Sequence, residues 1–137
     1  MKSLLIALTA LLPLSALAGE LPIAAQPEVY SYGQAITCRN DRLEIKMVPR
    51  APKAGEAAST FKDSGETLIK GKVDVTITER GVVLASFVAE DNTDPHESSW
   101  PVFNSDQPDF VFYAQDLEYP QTIEFKGQLL ADNISCN

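Results

Sequence analysis

Apolar and polar residues alternate with a period of two along most of the chain, and no stretch beyond residue 18 repeats convincingly at helical spacing. Leu43, Ile45 and Met47 fall on one face of an extended segment, with Glu44 and Lys46 on the other. The run Tyr30–Cys38 precedes it, and Arg39-Asn40-Asp41-Arg42 between them is turn-rich enough to predict a hairpin loop. A second hairpin is clearer. Val73, Val75 and Ile77 alternate with Asp74, Thr76 and Thr78, and Glu79-Arg80-Gly81 turns the chain into Val82–Ala89. Gly81 suits the positive φ that a three-residue loop needs at its last position. Val82–Ala89 is apolar on both faces, which predicts a central strand.

Phe110–Ala114 reads as a buried strand between Pro108 and Asp116, and Thr122–Ala131 sets Ile123, Phe125 and Leu129 opposite Glu124 and Lys126. A short Ile134–Cys136 segment follows. Six or seven strands at this spacing predict an all-β fold, a single antiparallel β-sandwich of immunoglobulin-like architecture, with a small β-barrel as the alternative. The spacing of Trp100 from the two cysteines does not match immunoglobulin domains, and no family is identified. Two stretches resist strand assignment. Residues Pro49–Glu66 hold prolines, glycines and one large apolar residue, Phe61, and predict a mobile loop. Glu90–Gln107 predicts a second long loop that carries Trp100, Pro101 and Phe103 among acids.

The first eighteen residues change the picture. Lys2 precedes an almost wholly apolar Leu4–Leu17, and Ala16-Leu17-Ala18 has the small-x-small pattern of a signal-peptide cleavage site. The run is shorter than the roughly twenty residues a bilayer crossing needs. Cleavage after Ala18 leaves one domain, residues 19–137, directed to the periplasm or secreted, with no membrane insertion. Outside the reducing cytosol, Cys38 and Cys136 are expected to form a disulfide. Their wide spacing is unlike that of a redox pair, so the bond reads as structural.

Charge separates the two halves of this domain. The segment Gly19–Ala85 carries nine acids and nine bases, whereas Ser86–Asn137 carries ten acids and Lys126 alone. Such acidity disfavours nucleic acid and anionic lipid and favours a basic protein partner. Candidate chemistry concentrates in the acidic half. Glu90–Glu97 holds four carboxylates and the only histidine, His96, but lacks the spacing of a calcium loop and has no second histidine for zinc. Ser98 and Ser99 beside His96 and Asp94 are too close in sequence to converge as a hydrolase triad, and no nucleophile elbow is present. No catalytic residue, metal ligand or cofactor is implied, and the chain is not expected to be an enzyme.

The expected partner surface is Asp91, Asp94, Glu97, Trp100, Phe103 and Asp106, an aromatic anchor rimmed by acid. That composition points to an inhibitor or immunity-type protein. A carbohydrate- or cell-wall-binding module using Trp100, Tyr30, Tyr32 and Tyr119 is the alternative, followed by a small carboxylate-dependent or calcium-dependent enzyme.

Overall fold

A computed structural model describes residues 27–130, except residue 64, and residues 133–137. The predicted leader Met1–Ala18, its cleavage site, and Ala131 lie outside the described residues. The strands are Val29–Tyr30 (β1), Ile36–Arg39 (β2), Leu43–Arg50 (β3), Thr60–Asp63 (β4), Glu66–Lys70 (β5) and Lys72–Glu79 (β6). They continue as Val82–Asp91 (β7), Val102–Asp106 (β8), Asp109–Tyr113 (β9), Thr122–Phe125 (β10), Gln128–Leu129 (β11) and Ser135–Cys136 (β12). The fold is all-β, as the alternation predicts, with twelve strands among the described residues rather than six or seven.

Nine strands form one antiparallel sheet in the order β11-β10-β9-β8-β7-β6-β3-β2-β12, and β1-β5-β4 form a second. The large sheet curls, so sandwich and half-barrel both describe it. Its interior is filled by the period-2 positions. Ile45 lies opposite Ile77 and Met47 opposite Val75, all buried, while Lys46 faces Thr76 on the outer side. Phe103, Phe110 and Phe112 contribute the largest buried rings, with Phe103 stacked on Phe112 at 5.6 Å between centroids. Full burial of each such ring stabilises the fold by about 1.5–3 kcal/mol.

Turn chemistry fixes the register. Asn40 Oδ1 accepts from the backbone N–H groups of Arg42 and Leu43 at 2.9 and 2.7 Å, closing the β2–β3 hairpin where the sequence predicts it. The β6–β7 hairpin is tighter than predicted. Glu79 and Val82 are paired, leaving a two-residue loop in which Arg80 (φ 49°) and Gly81 (φ 83°) are both left-handed. That geometry matches the right-handed twist of the flanking strands.

The predicted disulfide is formed. Cys38 and Cys136 sit directly opposite each other on β2 and β12, with Cα atoms 3.9 Å apart. Cross-linking residues 98 apart removes denatured-chain entropy of about 4–5 kcal/mol in the simplest treatment.

Three readings are corrected. Part of Pro49–Glu66 is strand: Pro49 and Arg50 continue β3, and Thr60–Asp63 pairs with β5. Polar contacts supply what apolar burial does not. Arg50 donates to Asp74 and Glu56 at once, and Ser59 Oγ donates to Glu90 at 2.7 Å. Leu129 does not share a face with Ile123, because the chain reverses after Phe125 and brings Leu129 opposite Glu124, exposed. The third concerns β7. It is central in strand order, but β8 meets it only at Glu90 and Asp91, so Val82–Val88 has a neighbour on one side only.

Candidate functional site

The stretch Glu90–Gln107 is not the one long loop predicted: Glu90 and Asp91 end β7, and Val102–Asp106 is β8. Only residues 92–101 connect β7 to β8, and their backbone is tied down at both ends. Asn92 N–H donates to the Val102 carbonyl at 2.8 Å, and Val102 N–H donates to the Thr93 hydroxyl at 3.1 Å. Asp94 caps the single helical turn Pro95–Glu97, accepting from His96 N–H at 2.9 Å, and the proline suits the first helical position. Trp100 N–H donates to the Glu97 carbonyl, and the Pro101 carbonyl accepts from Ala114 N–H. These bonds fasten the loop's backbone at both ends and at its helical turn.

The structure divides the six residues expected at a partner surface. Asp94, Glu97 and Trp100 are exposed on this loop, Trp100 at 38%. Asp106 is exposed at the far end of β8. Asp91 and Phe103 are both 0% exposed and are not surface residues. Phe103 points into the core, where it meets Phe112 and, edge-on, Tyr32. Asp91 accepts from Tyr32 N–H at 2.6 Å and Thr93 N–H at 3.0 Å, so its carboxylate ties the segment after β1 to the start of the loop. A buried carboxylate held by backbone donors is a structural fastener. Composition alone marked Asp91 and Phe103; their strand phase, inward on β7 and β8, could have placed them inside.

The neighbourhood of the loop is not uniformly acidic. A groove of about 250 Å³ runs between it and the small sheet, lined by Phe61, Lys62, Lys70, Asn92, Thr93, Asp94 and Pro95. Phe61 meets the edge of Tyr30 at 6.3 Å. Sequence reasoning missed Lys62 because it comes from the stretch Pro49–Glu66 read as a loop, where Phe61, the lone large apolar residue, was the available signal; Lys70 lies beyond that stretch, at the end of β5, and nothing local marked it. Burial, and after it the nearby Asp91 carboxylate, raise the Tyr30 and Tyr32 phenols above their ordinary value, so both stay neutral. Tyr30 ends β1 and Tyr32 packs on Phe103, so the two do not form a shared stacking platform. Tyr119 is exposed but lines a separate depression with Glu118, Asn133 and Ser135.

The carboxylates of Glu90–Glu97 do not converge. Glu90 is engaged by Ser59 and by Lys72, whose ammonium lies 3.4 Å away, and the Ser59 hydroxyl foremost holds its carboxyl below the usual range. Asp91 turns inward and Asp94 caps its own turn. Among the described residues, no group of three or more His, Cys, Asp or Glu side chains is arranged to hold a metal ion. No known protein family, curated protein or solved structure matches this chain.

Proposed function

We propose that this chain is an exported binding protein that captures a basic protein partner through the β7–β8 loop, in the manner of an inhibitor or immunity protein. The observation that carries the reading is Trp100, partly exposed on a loop whose backbone is already fastened. A rigid aromatic anchor gains affinity because little conformational entropy remains to be lost on binding. Asp94 and Glu97 stand on the same loop and supply the charge that attracts a basic surface. Asp91 fastens the base of the loop from inside, Phe103 fills the core behind it, and Asp106 stands apart at the far end of β8. The disulfide suits a non-reducing compartment, in keeping with a leader that sends the chain to the periplasm or outside the cell.

The test is capture from the producing cell's envelope and secreted fractions, followed by kinetics on whichever basic protein is retained. Trp100→Ala is expected to speed dissociation roughly thirtyfold, the equivalent of about 2 kcal/mol. Its circular dichroism should match the parent. If the folded variant dissociates at the parent rate, Trp100 is not the anchor.

A further inference from the structure

Val82–Val88 is the longest run of strand among the described residues with a neighbour on one side only, since β8 rejoins β7 at Glu90 and Asp91. Val82, Val83, Leu84 and Val88 are 65, 60, 53 and 42% exposed along it. No charged residue and no proline interrupts Gly81–Ala89. Proteins usually blunt a free edge with charge, proline or shortness. The other free edges among the described residues follow that practice: β1, β11 and β12 are two residues long, and β4 contains Lys62. A bulge opposite Ile77 and Thr78 sets Leu84 outside the β6–β7 ladder, which bends this edge but adds no charge.

We propose that β7 is the contact by which two copies of this chain associate, edge to edge and antiparallel about a twofold axis. Charge selects the occupant. At the hairpin end, Arg42 and Glu79 form a pair and Arg80 is the charge in the turn that leads into β7, with Asp41 on the neighbouring β2–β3 turn. At the other end, Lys72 pairs with Glu90 and lines a depression with Asp106, which lies opposite Asp109; with Lys70 also acting on Glu90, these three carboxylates face two ammonium groups, so negative charge is in excess. An antiparallel twofold sets the Arg80 end of each strand beside the Glu90 end of the other. A neutral apolar strip with opposite charges at its two ends is thus complementary to itself. The rest of the surface discourages self-contact, because a chain of net charge −8 repels its copy wherever acid meets acid. A basic protein, by contrast, is drawn to the acidic loops rather than to this neutral strip.

Sedimentation equilibrium of the exported protein, from micromolar to millimolar concentration, tests the proposal. The parent chain should pass from monomer to dimer over that range. Leu84→Lys with Val88→Lys, both at exposed positions, should keep the parent circular dichroism and weaken the dimer by about tenfold or more. If that double variant does not fold, Val83→Lys is measured in its place with the same expectation. A parent that stays monomeric at millimolar concentration overturns the proposal, as does a folded variant that dimerises as the parent does. A monomeric parent that instead binds a different protein along β7 also overturns it.

Discussion

Arg50 shows how far a single polar side chain can organise a stretch that composition reads as loop. Its guanidinium reaches Glu56 at 2.6 and 2.8 Å and Asp74 at 2.8 and 3.1 Å, a fork held by two carboxylates. Arg50, with help from the Lys53 backbone N–H, pulls the Glu56 carboxyl down to about 2, and both carboxylates hold Arg50 firmly charged. A depressed carboxylate stabilises the fold above its unfolded value, near 4.5, and that contribution fades as pH falls through about 2. Glu56 is partly exposed, so the global effect is small and the local one is the better reporter. A carbon-detected titration of Glu56 should give a midpoint near pH 2, with residues 51–58 keeping their chemical shifts at pH 3.5. A midpoint near 4.5 means that the fork does not form in solution. Nothing in the sequence announced this pairing, because Arg50 and Asp74 meet only through the β3–β6 register.

At the scale of the element, strands were legible where one face is dry and turns where the side chain makes its own hydrogen bonds. Leu43–Met47 and Val73–Ile77 carry the clean alternation and form paired strands with those positions inside. Asn40 closes its hairpin with its own side chain, a short-range effect that sequence can encode. The failures have different causes. The free part of β7 depends on where its pairing with β8 stops, which periodicity does not carry; Leu129 changes face because the left-handed Lys126-Gly127 turn reverses the chain; and β4 has too few apolar residues to show alternation. Asp91 is the functional case, since an acid in an acidic run looks like surface until its strand phase is known. Asp91→Asn would set an amide group against one of two backbone donors, Tyr32 N–H or Thr93 N–H, and leave it unsatisfied. That substitution should lower stability by about 1–3 kcal/mol and speed amide exchange at Tyr32 and Thr93. Asp94→Asn, on the same loop but exposed and still able to cap its turn, should change stability by less than about 0.5 kcal/mol. Equal effects of the two changes would contradict the division of the loop into a buried fastener and an exposed face.

Across the whole molecule, charge is sorted by strand order. The balanced half of the chain builds β2, β3 and β6, where opposite charges meet as Arg39–Glu44, Arg42–Glu79 and Arg50–Asp74. The half from Ser86 onward, with Lys126 as its one cation, builds the second part of β7, the β7–β8 loop and β8–β11, and returns only the two uncharged residues of β12 beside β2. Under the proposed capture of a basic protein, a field this lopsided would orient the partner during diffusion, so the acidic loop should govern how quickly it arrives and Trp100 how long it stays. The direct measurement is the association rate of the captured partner at ionic strengths from about 0.02 to 0.5 M, for the parent chain and for Asp94→Asn with Glu97→Gln. The parent rate should fall steeply with salt, and the double variant should start slower and vary less, with dissociation unchanged in both. Association that ignores salt in the parent, or that the double variant leaves untouched, would contradict capture through the acidic loop.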